Sequence, residues 1–390
     1  MSVNYDQLTA ERMAGTLGAK WTMFPDCIGA FVAEMDYGTA PVVKEAVAEA
    51  VDAGYFGYLP KYLDAELAEA TAGWYQRHTD WDVTPQMVHS MPDVLTGLSI
   101  ALTHYAPRGG KVVLPTPAYM PFLSIPGMLG RQIIQVPMHE TDNGWEYDYE
   151  GIEQAFRDGG EVLIVCNPYN PIGKVSSREE MEKLGEIVAR HDGRVFSDEI
   201  HAPLLFTGQK HIPYASINEV NAGHSITAIA ASKAWNLPGL KCAQLVISNE
   251  ADAEHFENSG ATWMAHGAAL LGVIASTTAY NEGQPWLDDV MTYLEGNRDA
   301  LADLVAEHLP GVKYRKPDGT YLAWLDFSET NAPDELDTFF REEAKVAITP
   351  GSACGEAGKR NVRFNFAMSR PLLEETIERM GKAMAAIPVS

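Results

Sequence analysis

The chain has 390 residues, with 29 Lys and Arg against 53 Asp and Glu and a formal net charge of −24. Hydrophobic residues make up 46% and charged residues 21%, the balance of a soluble globular chain long enough for two or three domains. That acidity argues against nucleic acid, which is held by basic patches that displace counterions, and against anionic membrane surfaces. The opening MSVNYDQLTAERMAGTLGAKW mixes charges without an apolar core and so does not read as a secretory signal. Four cysteines (Cys27, Cys166, Cys242, Cys354) lie far apart with no C-x-x-C, which suggests reduced thiols of a cytoplasmic protein. The histidines form no H-E-x-x-H, so no metal is expected.

In chain order, the first 44 residues are loop-rich and are expected to pack on the domains C-terminal to them. Short β-branched runs predict strands at Met87–His89, Lys111–Leu114, Ile133–Val136, Val162–Cys166, Arg194–Ser197, Ile226–Ala230 and Gln244–Ile247. Helical patterns lie between most of them, at Val94–His104, Tyr119–Leu129, Arg178–His191 and Ala251–Asn258. Such alternation predicts a mainly parallel α/β sheet covered by helices, with ligands bound outside the carboxyl ends of the strands. The apolar stretch Gly267–Tyr280 is shorter than the roughly 20 residues of a membrane helix, and its small residues suit a packed core helix. A long helix at Trp286–His308 then leads to Lys313–Tyr314, Tyr321–Phe327, a helix near Asp334–Glu343, Val346–Ile348, Val362–Phe366 and a terminal helix Leu372–Ala386. These divide the chain into an N-terminal segment (1–44), a large domain (45–285) and a smaller α+β domain (286–390).

Three features carry chemistry. Ser232-Lys233 comes after an apolar run at a strand's end; a lysine there is either a solvated cap or an amine of lowered pKa able to form a Schiff base. Ser197-Asp198-Glu199-Ile200-His201 comes after another strand, and its acid is either a cap, half of an ion pair, or a partner for a pyridine nitrogen. Asn167-Pro168-Tyr169-Asn170-Pro171-Ile172-Gly173 reads as a rigid turn, which accounts for its prolines and glycine but does not require Asn170.

Together, N-P-x-N-P-x-G, S-D-E-I and S-K-x-x-N-x-P-G-L make the chain resemble, over nearly its whole length, the fold-type I enzymes of pyridoxal 5′-phosphate (PLP) in the aminotransferase class I/II superfamily. The segments Val32–Thr39, Tyr55–Tyr58, Trp286–Arg298, Asp318–Asp326 and Asn361–Ala367, with His201 and His211–Ser216, resemble most closely the C–S β-lyases of the cystathionine β-lyase subfamily. The resemblance implies a large domain with a mainly parallel seven-stranded sheet. It also implies Lys233 as the cofactor-bonding lysine, Asp198 as the pyridinium partner, Asn170 at the phenolic oxygen, and Tyr119 stacked on the ring. His201 stands where most aminotransferases place Tyr. Phosphate is expected at the N–H groups of Val94 and Leu95, with Ser232 and Lys241, the last where many members carry Arg. Tyr58 matches a residue given across the interface of a homodimer, and Arg363 matches the arginine that grips the substrate α-carboxylate.

The activity so implied is β-elimination from L-cystathionine or another L-cysteine S-conjugate, giving a thiol, pyruvate and ammonia. An aminotransferase shares the same first steps, and a PLP-binding regulatory protein is a third reading, weakened by the lack of an appended basic DNA-binding segment. Trp145, Met120, Tyr321 and the Thr349–Gly355 loop are candidates for the distal pocket.

Overall fold

The computed structural model describes residues 4–106 and 108–387. Its centre is a seven-stranded sheet in the order Val88–Met91, Ala243–Ile247, Ser225–Ile229, Arg194–Asp198, Gly160–Cys166, Lys111–Thr116, Ile133–Pro137. Only Ala243–Ile247 runs against its neighbours; the pairings among the other strands are parallel. The inner strands are buried on both faces, as a parallel sheet covered by helices requires, which explains why they are rich in Val, Ile, Leu and Ala.

The strands stand where the sequence predicts them, with shifted ends. Arg194–Ser197 extends to Asp198, which pairs with Cys166 on one side and Ala228 on the other. That register brings the carboxyl ends of three strands together, so Asp198 at the end of one and Asn170 and Lys233 in the segments after the other two reach one edge of the sheet. The helix Val94–His104 comes after the edge strand Val88–Met91 and starts at the same edge, capped by the Asp93 side chain on Thr96 N–H at 2.9 Å.

The apolar stretch at 267–280 folds as the helix Leu270–Glu282, packed on the helices Pro41–Asp52 and Lys61–His78. A Cβ at Gly272 would lie 2.1 Å from the Leu240 carbonyl, so only glycine permits that approach. Among the described residues, no helix is long and apolar enough to cross a membrane.

The C-terminal third builds an antiparallel four-stranded sheet in the order Lys313–Tyr314, Leu322–Asp326, Asn361–Asn365, Thr349–Pro350. Two expectations change here. The helix expected near Asp334–Glu343 is a short turn of helix at Leu336–Phe339 running into a π-helical turn, Phe340–Ala344, which Lys345 ends in the left-handed region at φ 55°. The expected strand Val346–Ile348 contracts to Val346–Ala347 and pairs in parallel with Ile28–Gly29, stitching the N-terminal segment to the C-terminal part. Residues 30–39 then run as a strap between the second sheet and the segment that carries Lys233. Asn365 Nδ2 donates to the carbonyls of Val32 and Glu34 at 2.6 and 2.7 Å. From the other side, Asn236 exchanges hydrogen bonds with Met35, donating to its carbonyl at 2.9 Å and accepting from its N–H at 3.0 Å.

Candidate active site

Lys233 is reached from the strand Ser225–Ile229 through Ala230 and Ala231, both buried, and its side chain is partly buried at the sheet's carboxyl edge. Nζ donates to the Ala33 carbonyl of the strap at 2.9 Å. Burial, with the Arg363 cation behind it, pulls the ammonium down to about 8, against weaker support from Glu34 and Asp198. Asp198 is buried at the end of its strand, where Oδ1 accepts from Ile200 N–H at 3.1 Å. Loss of solvent pushes this carboxyl up to about 7; Glu199 adds to the rise, while the Ile200 N–H and Lys233 oppose it. The site thus holds an acid and a base that both change charge close to neutrality.

Arg363 lies in the strand Asn361–Asn365 and is buried, which weakens its hold on charge. Nη1 donates to Asn170 Oδ1 at 3.2 Å, and Nη2 donates to the Phe31 carbonyl at 2.8 Å and Thr349 Oγ1 at 3.3 Å. Its Nε is buried with no partner among the described residues. His201 is also buried, its ring 6.2 Å from that of Tyr321, with Nδ1 unpartnered among the described residues. Burial, and after it the nearby Lys233 and Arg363 cations, pulls this imidazole down to about 3, so it is neutral at physiological pH.

A cavity of about 150 Å³ lies against this group, lined by Val94, Leu95, Tyr119, Ser232, Lys233 and Lys241, with Asp93, Ile200 and Ala230 among the rest of its wall. Val94 and Leu95 are the first residues of their helix, where N–H groups have no intrahelical acceptor and the helix dipole favours an anion. Lys241 stands beside them in the left-handed region at φ 48°, its Nζ 2.9 Å from Asp93 Oδ2. Tyr119 precedes its helix, Met120–Met128, and presents its ring edge-on to Phe122. Burial raises its hydroxyl, an effect Arg363 reduces.

Of the residues singled out from the sequence, ten lie in this one region: Val94, Leu95, Tyr119, Asn170, Asp198, His201, Ser232, Lys233, Lys241 and Arg363. Tyr58 does not join them within one chain. It is 96% exposed and lines a separate hollow with Lys61, His89 and His266. Three partners in the site, Asp93 and the carbonyls of Phe31 and Ala33, were not among the site residues expected from the sequence. Asp93 was legible as the cap preceding an apolar helix; the carbonyls of Phe31 and Ala33 carry no side-chain signature at all.

The donor set fits PLP on structural grounds. Free N–H groups and a cation suit a phosphate, and a buried carboxyl suits a protonated ring nitrogen. An amine of lowered pKa suits a carbonyl carbon, and the unpartnered His201 Nδ1 suits a polar ring substituent.

The family model described as aminotransferase class I and II matches residues 26–380. A cystathionine beta-lyase of Corynebacterium glutamicum is 44% identical over 94% of this chain and 96% of its own. The cystathionine beta-lyase PatB of Bacillus subtilis is 34% identical over 98% and 100%. Among solved structures, the PLP-bound C-S lyase of Staphylococcus hominis superposes with a TM-score of 0.90 at 27% identity, covering 98% of this chain and 99% of that one. With its motifs, sheet topology and whole-length similarity in agreement, the chain belongs to the aminotransferase class I and II family.

Proposed function

We propose that the protein is a PLP-dependent carbon–sulfur β-lyase. It converts L-cystathionine, or a related L-cysteine S-conjugate, with water to a thiol, pyruvate and ammonia. The observation that carries this reading is the 44% identity to a cystathionine beta-lyase across 94% of the chain, set on a site in which Lys233, Asp198 and Arg363 converge.

Val94, Leu95, Ser232 and Lys241 would hold the phosphate, Tyr119 would stack on the ring, and Asn170 and His201 would face its phenolic oxygen. Bound PLP supplies an electron sink that makes the substrate Cα proton removable. Asp198 holds a proton on the ring nitrogen and so keeps that sink effective. Arg363 turns its planar fork to the substrate α-carboxylate, exchanging neutral oxygens of Phe31, Thr349 and Asn170 for a charged acceptor. This orients the Cα–H bond toward Lys233. Released from the cofactor when the substrate amine takes its place, the Lys233 amine, whose hold on a proton burial weakens, takes the Cα proton and can return one to the sulfur leaving from Cβ.

The exposed Tyr58 supports a homodimer in which each chain completes its partner's phosphate site. The two sheets support a division into a cofactor-binding large domain over 45–285 and a small domain over 286–390, the first 44 residues packing on them. A cytoplasmic setting suits the free thiols and the small-molecule substrate. Purified holoenzyme given L-cystathionine without a keto acid is expected to release homocysteine and pyruvate together. Amino transfer that requires 2-oxoglutarate, with no thiol release, contradicts the reading. The same assay with cystine, S-alkyl cysteines and cysteinyl dipeptides ranks the substrates.

A further inference from the structure

The proposed chemistry leaves unused the buried carboxylate beside Asp198. Glu199 is fully enclosed, and its oxygens accept from four donors. Oε1 takes the Ser197 hydroxyl at 3.0 Å and the Tyr214 N–H at 2.9 Å; Oε2 takes His211 Nε2 at 2.9 Å and the Tyr75 hydroxyl at 3.4 Å. Four donors on two oxygens is the pattern of an acceptor-only carboxylate. His211 Nε2 faces that carboxylate and therefore carries the ring proton, while Nδ1 is buried and unpartnered among the described residues. Burial and Glu199 together push the Tyr75 hydroxyl far up, so it remains a donor.

One peptide links this carboxylate to Asp198. Asp198 pairs with Ala228 in the sheet, and Glu199 N–H donates to the Ala228 carbonyl at 2.8 Å. A neutral amide of the same shape has a single acceptor oxygen and would set its NH2 against two of the four donors, so this cage holds a carboxylate and its charge in place. That fixed charge stands one residue from Asp198 and acts on its carboxyl, where a cationic ring nitrogen would be held.

We propose that Glu199 is a positioning residue for the cofactor's ring nitrogen. His211 and Tyr75 hold a fixed negative charge behind Asp198, and that charge strengthens the grip on a protonated pyridine. The inference rests on the reading of Asp198 as the ring-nitrogen partner. The groups around Glu199 and His211 are Tyr75 and, on the cavity wall beside His211, His78 from the helix Lys61–His78, Ser197 and Asp198 from the strand before Glu199, and Tyr214 from the next turn. Lys210, paired with Asp80, shares a cavity wall with His211, and Lys233 acts on Asp198 from beyond the sheet edge. His211, His78 and Lys210 line a cavity of about 130 Å³ that shares no residue with the Lys233 cavity. The couple is thus reached from a different side than the substrate.

The test loads wild type, Glu199→Gln and His211→Phe with PLP. It titrates the visible absorbance of the bound cofactor with pH and measures cofactor dissociation by equilibrium dialysis. Glu199→Gln keeps the shape and removes the charge, so the midpoint is expected to fall by about half a pH unit or more. Cofactor affinity should drop about threefold or more on the same grounds. His211→Phe takes one donor from Glu199 and should shift the midpoint the same way by less. Wild-type midpoint and affinity in a folded Glu199→Gln overturn the proposal. If that variant does not fold, an unchanged midpoint in His211→Phe overturns it alone. Failure of wild type to bind PLP would instead overturn the cofactor reading, and this inference with it.

Discussion

Lys233 and Tyr321 donate to the same oxygen, the carbonyl of Ala33, each at 2.9 Å. The strap thereby ties the candidate proton carrier to a tyrosine with no exposed surface, whose hydroxyl burial has pushed far up. Tyr321 is placed to shape the pocket rather than to donate protons, because its hydroxyl is already committed to a backbone acceptor. Tyr321→Phe leaves the carbonyl satisfied by Lys233 and removes one hydrogen bond, so the fold should lose about 1 kcal/mol. Steady-state kinetics should show kcat within severalfold of wild type. A fall of about a hundredfold or more would make Tyr321 the leaving-group acid instead.

Lys233→Ala removes both the cofactor bond and the base. Turnover is expected to fall by about a thousandfold or more, within the range for loss of a general base and nucleophile. The absorbance that marks lysine-bound cofactor should vanish while the circular dichroism of the fold is retained. Retained turnover would remove Lys233 from the chemistry.

Asp198 gives a pH prediction with a definite sign. The folded carboxyl keeps its proton up to about 7, whereas the ordinary value is 3.8. Without cofactor, folding stability therefore falls as pH rises through that window, because the folded state must give up a proton it holds more tightly. His201 works the other way: its folded imidazole stays neutral down to about 3, so stability is lost as pH falls below 6.5. The two overlap, so the clean readout is a difference between variants. Cofactor-free Asp198→Asn should be more stable than wild type at mildly alkaline pH by up to about 4 kcal/mol. The gap should close near the ordinary carboxyl value, as tracked by urea unfolding. The same variant should lose most turnover, which is the usual conflict between a strained functional group and stability.

Most of the fold was legible because the central strands are short runs rich in Val, Ile and Leu and the turns after several of them carry a distinctive polar motif. The site was legible where it is made of side chains: Lys233, Asp198, Asn170 and Arg363 announce themselves by type and context. It was not legible where backbone does the work, as with the carbonyls of Phe31 and Ala33. Nor could periodicity find the parallel pairing of Ile28–Gly29 with Val346–Ala347, since two-residue strands have no period to read. The π-helical turn at Phe340–Ala344 escaped for a related reason, its helical pattern being interrupted by a five-residue turn.

Tyr58 belongs to the next level of assembly. If it completes a partner's site, Tyr58→Ala and Lys233→Ala homodimers should both be weak. Hybrids of the two contain one site with its own Lys233 and the other chain's Tyr58. Coexpressed hybrids should regain about half of wild-type turnover per dimer, as symmetry requires for one intact site of two. No recovery in hybrids purified by two tags would place Tyr58 outside the site.

The central claim concerns the fate of the substrate once its Cα proton is gone: departure of the sulfur group, or its retention through amino transfer. Counting pyruvate against active sites decides it. Holoenzyme of known cofactor content, given excess L-cystathionine and no keto acid, should release many equivalents of pyruvate per site, with ammonia and homocysteine in equal amount. Keto-acid formation that stops at about one equivalent per site, restored only by adding 2-oxoglutarate, is the behaviour of an aminotransferase and would contradict the account.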